Sequence, residues 1–319
     1  MEQRRIDEIF MRRCLQLAEN GRQNAKPNPM VGAVVVCKGK IIGEGYHVRC
    51  GESHAEVNAF SSISSSHEML LPQSTLYVNL EPCSHYGKTP PCADLVVRKG
   101  VRRVVVGTID PFARVQGRGI RMIRDAGIEV TVGVLEAECK ALNKCFFTFH
   151  QQRRPYIILK WAQTSNGFID GHFRALAIST PYTKMLCHKL RAECDAVLVG
   201  RVTDEREHPL LNVREWYGKD PLRLVLSSEK KIEDFLSELY AGNVQSLVVE
   251  GGAQTHQSFI DARLWDEIRI ETSSIKVERG TRAALLPPDA VVYDEHTFGS
   301  NTIQWFRRET CLLGDADES

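Results

Sequence analysis

The chain has 319 residues, 43% of them hydrophobic and 25% charged, which suits a soluble globular protein with room for two domains. Its 41 Lys and Arg nearly balance 40 Asp and Glu, so no global basic field is present to attract nucleic acid. The start of the chain has no apolar core of signal-peptide length, and no run approaches the ~18 apolar residues of a membrane span. Its ten cysteines are therefore read as reduced thiols of a cytoplasmic protein, with a metal using a few of them. Cys14, Cys37, Cys139, Cys145 and Cys187 sit in apolar patterns and read as core residues.

In chain order, apolar spacing predicts a helix over 7–20, stopped by Gly21. A hairpin follows, with strands at 31–36 and 41–46 joined by Lys38-Gly39-Lys40. A helix opens at His54 and runs to 63, and the serine-rich stretch 61–67 reads as a linker. Strands at 75–80, 103–108 and 129–134 alternate with helices at 91–99, 118–126 and 136–151. Pro91 favours the first of these helix starts, and Gly100 and Gly127 supply stops. The polar, Pro-bearing stretch 151–155 marks a boundary between domains 1–152 and 153–319. The second half restarts with strands at 156–161, 196–199, 222–226, 246–249, 267–271 and 302–306. Its helices are expected at 181–193, 232–240 and 254–262. Such alternation predicts α/β architecture, a mixed or parallel sheet with helices on both faces.

The chemistry concentrates in two stretches, His54-Ala55-Glu56 and the run from Glu81-Pro82-Cys83 to Cys92. One histidine and two cysteines beside a carboxylate make the ligand set of a catalytic zinc site, which keeps a fourth position open. His54 lies on a helix start, and Cys92 begins another, where the helix dipole favours thiolate. Glu56, not itself a ligand, is the candidate proton carrier. A closed structural site would want a fourth Cys or His at close spacing, and none is evident. Zinc nucleobase deaminases carry H-x-E followed by P-C-x-x-C. Here the second cysteine departs from that pattern, lying nine positions after the first.

That spacing, with Asn28-Pro29-Met30-Val31-Gly32, Gly45-Tyr46-His47 and Asp110-Pro111, resembles the bifunctional deaminase–reductase family of riboflavin biosynthesis. The resemblance spans essentially the whole chain. It implies a cytidine-deaminase-like three-layer domain followed by a dihydrofolate-reductase-like α/β domain. It also implies zinc-dependent deamination of 2,5-diamino-6-(5-phosphoribosylamino)pyrimidin-4-one, then NADPH-dependent reduction of the ribosyl group. By the same resemblance His54, Cys83 and Cys92 hold zinc and Glu56 is catalytic. Asn28, His47, His85, Lys88 and Asp110 would meet the first substrate. Where the family usually has Asn after Asp110-Pro111, this chain has Phe112, and a substrate hydrogen bond is lost.

In the second half the strongest local feature is Val249-Glu250-Gly251-Gly252-Ala253, a strand end entering a helix, where glycines and a helix N-terminus suit a phosphate. The resemblance assigns Arg191, Leu211, Arg214 and Glu250 to substrate. It assigns Thr203, Glu207, Ser228, Gly252, Ala253, Gln254 and Thr255 to the cofactor. Glu207 stands for the family's aspartate, and Ala177 stands where the family commonly has tryptophan. Only Glu229-Lys230-Lys231 separates the 222–228 stretch from the helix at Ile232. Relatives place roughly a strand and its loops there, so NADPH binding is expected to be weakened or changed.

Three other functions compete with this reading. One is a monofunctional pyrimidine deaminase with a degenerate reductase half. Another is a nucleic-acid-editing deaminase, which the neutral charge and the long inter-cysteine loop oppose. The third is a non-catalytic partner keeping zinc for folding, which Glu56 opposes, because a structural site needs no free carboxylate. Long apolar helices would allow a homo-oligomer.

Overall fold

The computed structural model describes residues 2–84, 90–112, 116–227 and 230–309. Two compact units divide the chain, Met1–Gln152 and Arg153–Ser319, each around its own sheet.

The first sheet contains β1 (Gly32–Cys37), β2 (Lys40–Tyr46), β3 (Thr75–Leu80), β4 (Arg103–Thr108) and β5 (Glu129–Val132), in the order β2-β1-β3-β4-β5. β1 is antiparallel to β2 and β3, whereas β3, β4 and β5 run parallel. Every residue of β1 is buried, as its unbroken apolar run requires of a strand covered on both faces. Alternate side chains feed opposite cores. Ala33, Val35, Val78, Val104 and Val106 enter the core with α2 (Ala55–Ser61), α3 (Cys92–Lys99) and α4 (Arg118–Asp125). Val34, Val36, Tyr77 and Val105 enter the other, with α1 (Glu2–Glu19) and α5 (Glu136–Leu142).

Several local expectations are corrected. α1 starts at Glu2 instead of 7, since its polar first turn faces solvent and shows no apolar period. The 61–67 linker gives way to a 3-10 helix, Ser65–Gln73. The expected helix over 136–151 breaks into α5 and α6 (Lys144–Gln152) at buried Asn143. Asn143 uses its amide elsewhere: Oδ1 accepts from Met30 N at 2.8 Å, and Nδ2 donates to Met30 O at 2.9 Å.

The second sheet has seven strands, with β6 (Tyr156–Gln163), β7 (Ala196–Gly200), β8 (Leu222–Leu226), β9 (Ser246–Val249), β10 (Glu267–Ser273), β11 (Ala290–Phe298) and β12 (Asn301–Arg308) in the order β11-β12-β10-β6-β9-β7-β8. The last five positions in that order are mutually parallel, and β10, β12 and β11 pair antiparallel. Ile157, Leu159, Leu198, Leu247 and Ile268 form one face under α9 (Ile232–Ala241) and α10 (Ala253–Asp261). α7 (Pro181–Glu193) covers the other. Its start is set by a capping box, in which Thr180 and Thr183 each satisfy the other's backbone N–H with Pro181 at the first helical position. Two elements escaped the sequence pattern. α8 (Arg201–Glu207) buries nothing, and β11 is a largely exposed edge strand, so neither carries an apolar period.

α1 is tied to the first sheet by one buried ion pair. Arg103 Nη1 and Nη2 donate to the two oxygens of Asp7 at 2.8 Å each, and Tyr77 OH donates to Asp7 Oδ1 at 2.9 Å. Burial works to raise the Asp7 pKa, but the bonds from Arg103, Gln3 and Tyr77 outweigh it and hold the carboxyl below its usual range. Its stabilising effect is therefore full above the unfolded carboxylate pKa of ~3.9 and is lost as pH falls through the depressed folded value. Asp7→Asn is expected to cost about 1.5–3 kcal/mol, since Arg103 would keep only Thr131 and the exposed Glu129 as partners, read as a lower urea midpoint at pH 7. The difference from the parent should shrink on acidification.

Candidate functional site

The parallel strands β3 and β4 both end at one edge of the first sheet, the edge where α/β folds place their sites. The chain leaving β3 reaches Cys83, and the chain leaving β4 reaches Asp110. His54 is the N-cap of α2 but makes no side-chain capping bond, so its imidazole remains free to ligate. Cys92 is the first residue of α3, after Pro91. Its backbone N–H donates to Cys83 Sγ at 3.3 Å, so the helix start faces the sulfur.

His54 Nδ1 lies 3.6 Å from Cys83 Sγ and 3.3 Å from Cys92 Sγ, and all three ligating atoms fall within 4.8 Å of one another. Tetrahedral zinc, with bonds of ~2.0–2.3 Å to N and S, sets its ligand atoms about 3.3–3.8 Å apart. The three donors fit that ion. The Cys92 thiol, donating to Cys83, pulls the Cys83 pKa down, with bonds to His54 and to the Cys92 N–H adding to the effect; Cys92 is pushed up in return, first by that same bond and then by burial. A divalent cation displaces the thiol protons of such a pair when it binds. Every described cysteine is free of disulfides.

Glu56 sits on the first turn of α2 and is only 3% exposed. Burial, with the Cys83 thiolate next in importance, pushes its pKa up to about 7. A carboxyl with that value can both take and give a proton near neutrality.

Asn28 and His47 meet beside this centre. Asn28 Nδ2 lies 3.1 Å from His47 Nε2, and His47 Nδ1 lies 3.1 Å from the Ser53 carbonyl. These partners assign the proton to Nδ1, leaving Nε2 to accept from Asn28. Burial lowers the His47 pKa, favouring that neutral ring, which stacks edge-on with His54 at 5.3 Å. Asp110 is 7% exposed, and burial pushes its pKa up to about 6. Phe112 packs on His150 of α6, with ring centroids 5.1 Å apart. His85 and Lys88 lie outside the described residues.

Sequence reading passed over Asn79 and Asn143, which hold the Asn28 loop. Asn79 Oδ1 accepts from Gly32 N at 2.8 Å, and both side chains donate to Met30 O. A lone Asn in the buried strand Tyr77-Val78-Asn79-Leu80 was the available signal.

In the second unit the structure joins Arg191 and Glu250. Arg191 Nε and Nη2 donate to Glu250 at 2.6 and 2.8 Å, and Arg191 Nη1 donates to Asn212 O at 3.2 Å. Lys160 Nζ stands 3.7 Å from Glu250. Burial opposes ionisation of Glu250, yet Lys160 and Arg191 hold its pKa down to about 2. Leu211 is buried next to Asn212, and exposed Arg214 donates to Asn212 Oδ1 at 2.9 Å. Lys160 was missed because one lysine inside an apolar strand reads as noise in the pattern.

The cofactor candidates gather around two strand–helix turns. A Cβ on Gly251 would lie 2.5 Å from Gly200 N, so the turns after β7 and β9 touch backbone to backbone. Gly252, the N-cap of α10, has φ +38°, and Thr203 Oγ1 faces it; Thr255 Oγ1 faces Gly200. α10 has no side-chain cap, so Ala253, Gln254 and Thr255 begin a helix whose N–H groups are open to an anion. This cradle fits the phosphates of a dinucleotide. Glu207 is exposed at the end of α8, with no hydrogen bond or ion pair among the described residues. Ser228 lies outside them. β8 is the sheet's edge, with Lys230 and Lys231 leading straight into α9.

Comparison with known proteins follows the same division. The family described as the cytidine and deoxycytidylate deaminase zinc-binding region matches residues 4–108. The RibD C-terminal domain matches residues 155–234 and 229–277, two stretches that overlap at 229–234. Riboflavin biosynthesis protein RibD of Bacillus amyloliquefaciens is 33% identical, over 85% of each chain. The chain belongs to the RibD family. The Aquifex aeolicus member is 45% identical over 235 residues, 72% of this chain and 64% of that protein, so the match spans under two thirds of that relative's length. A Thermotoga maritima diaminohydroxyphosphoribosylaminopyrimidine deaminase/5-amino-6-(5-phosphoribosylamino)uracil reductase superposes with a TM-score of 0.88. It is 33% identical, over 96% of this chain and 99% of that one. The Bacillus alignment runs to 321 positions, more than 85% of 319 residues can fill, so it takes in residues of the relative that this chain lacks.

Loss of one sulfur should empty the centre. Cys92→Ser is expected to lower zinc affinity by at least about 100-fold, beyond what loss of an outer partner costs. Competition with a chromophoric chelator measures this, and retention of zinc at parental affinity would remove Cys92 from the ligand set.

Proposed function

We propose that the chain is a deaminase–reductase of riboflavin biosynthesis that acts on a phosphoribosylated aminopyrimidine in the cytoplasm, and not on nucleic acid. The observation that carries the reading is a buried Glu56 beside a His54–Cys83–Cys92 triangle of zinc dimensions. A structural zinc site has no use for that carboxylate. His54, Cys83 and Cys92 would hold the metal, which when bound supplies a Lewis acid that activates water for attack on the amino-bearing carbon. Glu56 takes one proton from the attacking water and gives it to the ring nitrogen, then takes the remaining proton of the new hydroxyl and gives it to the amine, so that the carbon–nitrogen bond breaks and ammonia leaves. Asn28, whose Nδ2 donates to neutral His47, offers its amide oxygen to the pyrimidine, and His47, with both ring nitrogens engaged, holds that amide in place. Asp110 lines the same edge from β4.

In the second unit, NADPH would rest on the Gly200 and Gly251-Gly252 turns and supply hydride. Arg191 and Lys160 keep Glu250 ionised, and Arg191 and Arg214 suit a substrate phosphate. A deaminase with a weakened reductase half is the second reading, favoured by the abrupt passage from β8 to α9.

The deciding experiment incubates the protein with 2,5-diamino-6-(5-phosphoribosylamino)pyrimidin-4-one, with and without NADPH, following ammonia and cofactor absorbance separately. Ammonia release without NADPH, then cofactor oxidation when it is added, is the expected result. Ammonia alone would establish the second reading, and neither signal would sink both. Glu56→Gln should keep its zinc and slow ammonia release by about 10²–10⁴-fold. Glu250→Gln should abolish cofactor oxidation while ammonia release continues unchanged.

A further inference from the structure

Glu81 stands two residues before Cys83, is 3% exposed, and is used by none of the chemistry above. Its carboxylate accepts four backbone hydrogen bonds from the chain leaving β4. Oε2 accepts from Asp110 N at 3.2 Å and Gly117 N at 2.9 Å. Oε1 accepts from Gly119 N at 2.9 Å and Ile120 N at 3.3 Å. Asp110 and Gly117 are the two ends of the loop between β4 and α4, so one oxygen closes that loop on itself. The other oxygen serves the second and third N–H groups of α4, whose N-cap Gly117 has no side chain to do so.

The junction is tight as well as polar. A Cβ on Gly119 would lie 2.0 Å from the Pro82 carbonyl oxygen and 3.4 Å from Glu81 Oε1. The Glu81-Pro82-Cys83 turn and the Asp110 loop are therefore built against each other, with no room for a side chain between them. Glu81 N also donates to Thr108 O at 2.9 Å, which fixes the turn to the end of β4.

We propose that Glu81 is a positioning residue of the deaminase site: its carboxylate clamps the Asp110 loop to the Cys83 turn and so sets where Asp110 stands relative to the metal centre. The inference rests on the proposed role of Asp110 toward substrate. Only a carboxylate offers acceptors on both oxygens. In Glu81→Gln one oxygen becomes an NH₂ group facing two N–H donors, so two bonds are lost and two donor–donor contacts are made. Glu81→Asp keeps the charge but is one methylene too short to reach both loop ends.

The test compares the parent, Glu81→Gln and Glu81→Asp, each measured per zinc-bearing molecule. KM for the aminopyrimidine nucleotide should rise about tenfold or more in the Gln variant, with kcat changed less and zinc content still equal to the parent's. Asp should fall between the two. Amide hydrogen exchange at Asp110, Gly117, Gly119 and Ile120 should quicken by a similar factor, while the amides of β3 and β4 keep their protection. A carboxylate that merely stabilises the fold predicts otherwise, with a lower unfolding midpoint, unchanged KM, and exchange raised throughout the unit. That outcome overturns the proposal, and if the Gln variant does not fold the Asp variant decides on the same two readouts. Were the parent itself to release no ammonia from this nucleotide, the functional reading would fail, while the exchange pattern would still decide whether Glu81 clamps the loop.

Discussion

An uncapped helix N-terminus is an unsatisfied set of N–H groups, and the architecture of both units turns on how those groups are met. α2, α3, α4 and α10 all begin without a side-chain cap of their own. At α3 the partner is the Cys83 sulfur, and at α4 it is the Glu81 carboxylate. In each case a negative group comes from the end of β3, delivered across the sheet edge to a helix that starts elsewhere in the sequence. The demand for an anion at a helix start therefore does double duty. It stabilises the thiolate form that a metal needs, and it locks the loops that surround the metal.

The second unit leaves the same demand open at α10. Gly251 and Gly252 let the turn press against Gly200, and no side chain of the described residues closes the helix start. A cofactor phosphate is a natural partner for such groups. The contrast between the units is chemical. Where sulfur and carboxylate from the chain itself meet α3 and α4, and Thr180 caps α7, the start of α10 is left for a ligand.

Much of this was legible in the residues. The His54-Ala55-Glu56 and Cys83-to-Cys92 stretches pointed to a candidate metal centre, because few other uses combine those types, and the structure brings His54, Cys83 and Cys92 together. α7 was readable to its ends, since Thr180-Pro181 marks its start and polar Glu193 its close. Legibility failed where a residue's role depends on a partner far along the chain. Asn143 breaks a helix to hold Met30, 113 positions away. Glu81 meets Gly119, 38 positions on. Lys160 is plain within its own strand and acquires meaning only when the sheet sets it beside Glu250. α8 and β11 were invisible for a different reason. Burying no continuous face, they carry no periodic signal, and they are helical or extended because their neighbours leave them that shape.

The short strand β8 has a further consequence. As the terminal strand of the second sheet it exposes Leu222 and Val225, 54% and 39% accessible, beside an open row of backbone groups. Such a row is a template on which other chains can add a strand, and proteins commonly guard it with charge. Here the guard is Arg223, held in place by Asp204 of α8. At this edge the Arg223–Asp204 pair guards against edge-to-edge association, although it belongs to neither candidate site.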